Sequence, residues 1–483
     1  MRITIIAILF ISILAACSSS SSKGDVEKEE KGVTETSANT NTSRANKPRI
    51  ISGKDFNQAV GDFCNIRISG DSLRKILRDS LSSSFLEKWI NNNDKDTVGA
   101  IQSILGYLYA NGKGCQKDYK RSFILYQQGA QKGIPFAMTG LGNLYTTGNG
   151  TEKDLDKAFE LLTEAAEQGD ANAQYNLGQF YYNGESTEKD LNKAFEWWTK
   201  AAEQGDVDAQ YSLGQCYDSG EGTARNLDKA FEWWTKAAEQ GDANAQLILG
   251  FCYNQGACTA KNLDKAFEWW TKASEQGNAN AQFYLAVCYY NGEGVEKDLS
   301  KAVKWYAKAA KQGLAKAQRN LANRYFNGEG TEQDFNKALE WYTKAAEHGY
   351  IDAKKKIADI CLNKITTKKN IERGLKTIRE LALDSCYSDS QYKFGLMYEM
   401  GHHVVQDDNK AFELYRQSAA QHYSPAEFRL GLFYYEGVVG KQNKRIGLLW
   451  IRNAANNGNK EAMKFLGESK DNEGAKDHEL SLW

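Results

Sequence analysis

AFEWWTKAAEQG occupies residues 194–205 and returns unchanged at 230–241, a displacement of 36 residues. Self-similarity at such a period marks a stack of supersecondary units, each burying its apolar face against its neighbours. A second marker steps along the chain at the same spacing: Leu105-Gly106, Leu141-Gly142, Leu177-Gly178, Leu213-Gly214 and Leu249-Gly250, then Leu285-Ala286, Leu321-Ala322 and Ile357-Ala358. One extra residue intrudes before Phe394-Gly395, after which Leu430-Gly431 and Leu466-Gly467 resume the 36-residue step. The array therefore covers 98–468. Length here counts repeats, so 483 residues predict one all-α solenoid of about ten helical hairpins instead of three globular domains.

Composition fits a folded helical protein, with 41% hydrophobic residues and only 3 prolines to interrupt helices. Lys and Arg number 61 against 62 Asp and Glu, so the chain lacks the basic footprint of a nucleic-acid binder. The flanks read differently. Arg2 precedes an apolar run from Ile3 to Leu14 that is too short to span a bilayer and has the form of an export signal. It ends in Leu14-Ala15-Ala16-Cys17, which resembles the bacterial lipobox, so residues 1–17 are expected to be a signal peptide and Cys17 the lipidated anchor. Ser18 after that cysteine resembles the sorting signal for the outer membrane. Residues 18–48 are Ser, Thr, Asn, Glu and Lys with almost nothing apolar, a disordered tether with an r.m.s. reach of roughly 30 Å. In 49–97, Phe56, Val60, Phe63, Leu73, Ile76, Leu77 and Leu81 recur at helical spacing and predict a non-repeat cap, and 469–483 form a tail.

Each unit reads as two helices, as residues 206–241 show. Asp206 is suited to cap the first helix, because its carboxylate accepts from unpaired first-turn amides. Ala209, Leu213, Gly214, Cys216 and Tyr217 form its apolar face. Ser219-Gly220-Glu221-Gly222 supplies residues that tolerate positive φ and ends it. Asn226 caps the second helix, whose inner face is Ala230, Trp233 or Trp234, Ala237 and Ala238, and Gly241 closes it. Small Gly214 and Ala230 are expected to let the helices approach closely, with the Trp pair filling the space between hairpins.

The pattern A-x-x-x-L-G-x-x-Y-x-x-G-x-G-x-x-x-D/N-x-x-K-A-x-x-W-W/Y-x-K-A-A-x-x-G resembles Sel1-like repeats, relatives of the tetratricopeptide repeat. It holds best over 170–349 and lapses in the unit of Ile357-Ala358, where Cys361 replaces the Tyr, the Gly-x-Gly turn disappears and Gly374 replaces the Ala, so a discontinuity is expected there. The resemblance implies a right-handed α-α superhelix whose first helices line a concave surface for protein partners. On that geometry the concave positions lie two before the family Leu and two and five after it. They are Tyr175, Gln179 and Tyr182; Tyr211, Gln215 and Asp218; Leu247, Phe251 and Asn254; Phe283, Val287 and Tyr290; then Arg319, Asn323 and Phe326. Such an aromatic strip fits a peptide or a glycan, or else rings packed between neighbouring units.

Chemistry is sparse elsewhere. Cys216, Cys252 and Cys288 share one core position, where Leu144, Phe180 and Met397 stand in other units, and read as small hydrophobes. Cys252 with Cys258, and Cys361 with Cys386, remain candidate pairs in an exported chain. A cysteine-rich branch of the family, described as weak β-lactam hydrolases, places paired Cys eight apart; here those slots hold Ala166 and Gln174, Ala202 and Gln210, and Ala238 and Gln246. Ser-x-x-Lys at 72–75 and 390–393 lacks the context a nucleophile motif needs. The adjacent His402 and His403 carry no further ligand at metal spacing, and the Gly-x-Gly turns follow no strand, so neither metal nor cofactor is expected. The expected function is a lipid-anchored, non-enzymatic scaffold of the cell envelope that binds a protein or peptide. The alternatives are a glycan holder in peptidoglycan or exopolysaccharide handling, and a β-lactam or cell-wall hydrolase.

Overall fold

The structure, a computed structural model, describes residues 95–112, 116–365 and 367–472. The expected signal peptide with Cys17, the tether, nearly all of the cap and most of the tail lie outside these residues. The described residues form 21 α-helices without a strand, and none is long and apolar enough to cross a membrane.

The chain divides into two compact units, 1–245 and 246–483. In the first, α1 (Lys95–Asn111) pairs with α2 (Tyr119–Ala130), α3 (Pro135–Thr147) with α4 (Leu155–Glu167), α5 (Ala171–Asn183) with α6 (Leu191–Glu203), and α7 (Val207–Ser219) with α8 (Leu227–Glu239). Helix α9 (Ala243–Gln255) contains the division. The second unit continues with α10 (Leu263–Glu275), α11 (Ala279–Asn291) on α12 (Leu299–Lys311), and α13 (Ala315–Asn327) on α14 (Phe335–Glu347). Then α15 (Ile351–Asn363) pairs with α16 (Lys368–Arg379), α17 (Ser388–Met400) with α18 (Asp408–Ala419), and α19 (Ser424–Glu436) with α20 (Lys444–Asn456), before α21 (Lys460–Asn472).

Hairpin α7/α8 ends where its sequence says it should. Asp206 accepts from the Ala209 amide at 2.8 Å and Asn226 from the Lys229 amide at 3.0 Å, each satisfying a first-turn donor. Gly220 closes α7 at φ +80°, donating to the Cys216 carbonyl at 2.8 Å. Gly222 has two reasons to be glycine. Its φ is +69°, and an added Cβ would strike the Leu191 carbonyl at the start of the preceding second helix.

The approach expected at Gly214 is made by a ring. An added Cβ there would meet the indole of Trp234, and the same holds for Gly178 with Trp198 and Gly250 with Trp270. Two of the indole NH groups donate across the gap, Trp198 to the Tyr175 carbonyl at 3.1 Å and Trp270 to the Leu247 carbonyl at 3.2 Å, whereas that of Trp234 is buried without an acceptor. Trp234 is thus the inner member of its pair, 3% exposed. Trp233 packs against the Ala194–Trp198–Leu213 cluster, bridging to the preceding hairpin as expected. Where the glycine becomes Ala286 or Ala322, the ring shrinks to Tyr306 or Tyr342, both buried. The two slots trade volume at constant packing.

The glutamines in the slots of the cysteine-rich branch make a hydrogen-bonded clip. Gln174, Gln210, Gln282 and Gln318 are each at most 5% exposed. They donate eight residues back to the carbonyls of Ala166, Ala202, Ser274 and Ala310 at 3.1 to 3.3 Å. Their carbonyl oxygens accept from a second glutamine 30 residues on, as in Gln204 to Gln174 at 2.7 Å, Gln240 to Gln210 at 2.8 Å and Gln312 to Gln282 at 2.8 Å. The ladder breaks at Gln318, whose buried Oε1 has no partner because His348 stands where the second glutamine should be. Neither Cys252–Cys258 nor Cys361–Cys386 is a disulfide, while Cys216, Cys252 and Cys288 are buried in the core as expected.

The expected discontinuity is present. Helix α15 ends on Lys364 at φ −117°, without the left-handed glycine of the regular units. Helix α16 runs into a π turn, Glu380–Asp384, which absorbs the extra residue of the sequence register. Cys386, at φ +54°, then takes the place of the closing glycine.

Candidate functional site

The expected strip resolves into partnered rings. Tyr175 and Tyr211 are half-buried, and their hydroxyls accept from Gln179 at 2.8 Å and Gln215 at 3.1 Å. Tyr182 packs its ring 5.4 Å from that of Trp198 and donates to Glu221 in the next repeat at 3.2 Å. Tyr290 makes the same bond to Glu329 at 3.4 Å, with the Arg324 guanidinium 4.0 Å over its ring. Leu247 and Phe251 pack on the Trp270 cluster, and Phe251 lies 4.6 Å from Tyr284. Phe326 sits 5.6 Å from Phe335 beneath the Lys356 ammonium, and Arg319 sits 5.3 Å over Tyr350. Phe283 is a correction. At 9% exposure it belongs to the core with Ala302, Tyr306 and Leu321, because its ring fills space beside the smaller Tyr306. Along these repeats Gln215 is exposed and the other predicted positions, Phe283 apart, are partly buried.

A hollowed site does form, starting in the last unit of the strip, where α13, α15 and α17 succeed one another. Its first part is an apolar hollow of about 290 Å³, lined by Ala358, Leu362, Ile378, Leu396, Met397 and Met400, with Lys355, Asp359, Lys393 and His402 at its edge. The hollow has a cause in the sequence register. Ile378 occupies the slot that Trp198, Trp234, Trp270, Tyr306 and Tyr342 fill in 171–350; where Leu162 and Ile451 fill it, they close directly on Gly142 and Gly431, whereas Ile378 stands opposite Ala358. Loss of the Gly-x-Gly turn after Asn363 removes the loop that would close over the end.

The second part adjoins it through Lys355, Asp359 and Lys393, which border both hollows. It measures about 470 Å³ and is walled by Arg319, Lys355, Lys356 and Lys393 against Asp352 and Asp359, with Asn323 and Tyr342 below. Lys355 is held by Asp389 at 2.9 Å and lies 5.0 Å over Tyr387; Asn363 donates to Asp359 at 3.0 Å. The buried Nε of Arg319 has no hydrogen-bond partner. Four cations thus face two carboxylates in a partly enclosed site.

Of the expected concave residues, only Arg319 and Asn323 enter this site. In the next two units the same rule of two before, two after and five after gives Lys355, Asp359 and Leu362, then Tyr392, Leu396 and Glu399; of these Lys355, Asp359, Leu362 and Leu396 line the hollows. Extending the rule across the irregular unit would have found those four, whereas Asp352, Lys356 and Lys393 fall outside it. Ser390 and Lys393 line the apolar hollow together, but Ser390 is 1% exposed and its hydroxyl turns to Asp389 at 3.4 Å. It occupies the slot of Ala173, Ala209, Ala281 and Ala317, which accounts for a small residue there. Ser72 and Lys75 lie outside the described residues. His402 and His403 have ring centroids 4.0 Å apart, and His403 Nε2 lies 2.9 Å from the Leu362 carbonyl. No cluster of His, Cys, Asp and Glu among the described residues is placed to hold a metal. Burial pushes the Cys216 and Cys288 thiols up to about 12, so both stay protonated core groups.

The Sel1 repeat family model matches residues 102–134, 135–170, 171–206, 207–242, 243–278, 279–314, 315–350, 388–423 and 424–459, passing over 351–387. A similar solved structure is a protective antigen present in uropathogenic Escherichia coli strains and displaying an SLR fold. It is 29% identical at a TM-score of 0.66, covering 81% of this chain and 84% of that one. A Sel1 repeat protein from Oxalobacter formigenes is 32% identical at a TM-score of 0.46, covering 50% of this chain and 96% of that one. No curated protein matches the chain.

Proposed function

The chain belongs to the Sel1 repeat family, and on that premise we propose that it is a lipid-anchored, non-enzymatic scaffold of the bacterial cell envelope that holds a protein partner in the groove of α13, α15 and α17. Sel1 repeat proteins are generally protein-interaction scaffolds, typically without catalysis. The observation that carries the reading is where the groove lies. It occurs in the one stretch between matched repeats that the family pattern passes over, and there the rings that pack the hairpins of 171–350 give way to Ile378 and the Gly-x-Gly turn is lost. A stack of packed hairpins needs no such opening for its own stability. Envelope placement rests on the lipobox resemblance ending at Cys17 and on the polar tether after it, which would hold the folded part clear of a membrane surface.

The test is a crosslinking capture from envelope extract with the whole mature chain, compared with a double variant carrying Lys393→Glu and Met400→Glu. Both side chains are exposed, so the variant is expected to fold, and its melting curve checks this. A discrete protein captured by the parent and lost by the folded variant is the expected result. Equal capture by both chains would remove the groove from the function, and no capture by either would remove the scaffold reading.

A further inference from the structure

Resting on that reading, we infer that the groove takes an extended peptide segment in which acidic side chains stand next to a long apolar one. The two hollows differ in chemistry and share a wall. The larger is bordered by Arg319, Lys355, Lys356 and Lys393 against Asp352 and Asp359, an excess of cations in a chain whose overall charge is −1. That excess is local. It arises because Arg319 and Lys355 stand where earlier units carry Tyr175, Tyr211, Leu247 and Phe283, and Lys356 and Lys393 stand at the next position, where earlier units carry Asn176, Ser212, Ile248 and Tyr284.

The cations are also unequally committed. Lys355 already has a carboxylate in Asp389 at 2.9 Å, and Lys356 and Arg319 lie over rings, which position a charge without neutralising it. The buried Arg319 Nε lacks an acceptor, and Lys393 is exposed. An incoming carboxylate would meet these uncompensated cations through charge-assisted hydrogen bonds. Lys393 borders both hollows, so a ligand carboxylate near it places the adjacent side chain over the apolar one. That hollow is walled by Leu362, Ile378 and Leu396 and by the flexible thioethers of Met397 and Met400. Thioethers adapt to unbranched or γ-branched side chains of varied length. Met400 is 64% exposed at the mouth, an apolar surface that a bound side chain would cover. Charge complementarity therefore selects the acidic residues, and the neighbouring hollow selects their apolar companion.

The experiment uses the whole mature chain and fluorescent peptides of one length: Glu-Glu-Met-Leu between Gly-Ser flanks, the same with Lys for Glu, and the same with Ala for Met and Leu. Anisotropy titrations at low salt are expected to show the first peptide binding at least tenfold more tightly than either other, with affinity falling as salt is raised. Lys393→Glu and Met400→Glu are each expected to weaken it about tenfold while the melting curve is unchanged. Equal binding of the Lys peptide, or no effect of Lys393→Glu, overturns the assignment of charge. Equal binding of the Ala peptide overturns the assignment of the apolar hollow. If all three peptides fail while envelope capture still depends on Lys393 and Met400, the ligand chemistry is wrong and the scaffold reading stands.

Discussion

The hairpins within 171–350 and the unit at 351–387 keep the same register, yet the former are closed by a buried ring and the latter is open. In the regular hairpins Trp198, Trp234 and Trp270 lie on glycines, and Tyr306 and Tyr342 lie on alanines. In the irregular unit Ile378 meets Ala358, the connecting turn is shortened, and a π turn restores the register. Repetition therefore reports what stability requires, and a break in the repetition reports where packing has been given up. Function on such a scaffold is to be sought where the pattern fails.

Breaking a regular hairpin should have the largest effect. Gly214→Val places a branched side chain in the space of the Trp234 indole and is expected to cost about 3 kcal/mol, read as a fall in melting temperature. Gly214→Ala combined with Trp234→Tyr reproduces the natural Ala286 and Tyr306 pairing, so the pair should be more stable than the sum of the single changes predicts. An additive result would show that ring and glycine are not coupled.

The glutamine clip comes next. Gln210→Ala strips the Ala202 carbonyl and the Gln240 amide of a partner and should cost about 2 kcal/mol in urea unfolding. His348→Gln should do the opposite, giving the orphaned Gln318 oxygen its donor and raising stability by about 1 kcal/mol. Equal effects of either sign at both positions would erase the difference between intact and broken ladder.

The regular part should also be acid-stabilised over a defined window. Burial, and after it the charges of Asp208 and Asp170, push the Asp206 carboxyl up to about 6, against the bond from Ala209 that lowers it. A carboxyl raised in the folded state takes up a proton there before the unfolded chain does. Its contribution therefore grows as pH falls from about 6 to about 4 and is lost again as pH rises through 6. Asp206→Asn keeps the cap, as Asn278 does at the equivalent place, and should remove about 1–2 kcal/mol of that pH dependence. An unchanged slope between pH 4 and 6 would place the proton elsewhere. The smallest effect is expected at Ser390→Ala, within about 0.5 kcal/mol, since Ala fills that slot in other units.

Most of the fold was legible because each local signal had one physical meaning. Asp206, Asn226, Gly220 and Gly241 announced the helix ends, and the 36-residue step fixed the stacking. Two things were not legible. Whether Trp233 or Trp234 faced inward depended on a rotation of less than one turn, which only the indole's fit over Gly214 decides. Phe283 looked like its neighbours Tyr175 and Tyr211 in sequence, yet it is buried because the ring beneath it is Tyr306 and not Trp. The groove was half legible. Arg319 and Asn323 were named from the first-helix rule, which extends to Lys355, Asp359 and Leu396, whereas Lys356 and Lys393 stand one position off that face and no spacing pointed to them.

The most direct test of the account is hydrogen–deuterium exchange of the whole mature chain with and without the protein captured from the envelope. Protection concentrated in 315–327, 351–363 and 388–400, with 171–290 unchanged, is the predicted result. Protection of 171–290 with the irregular unit unaffected would contradict the account and return binding to the aromatic strip of the regular repeats.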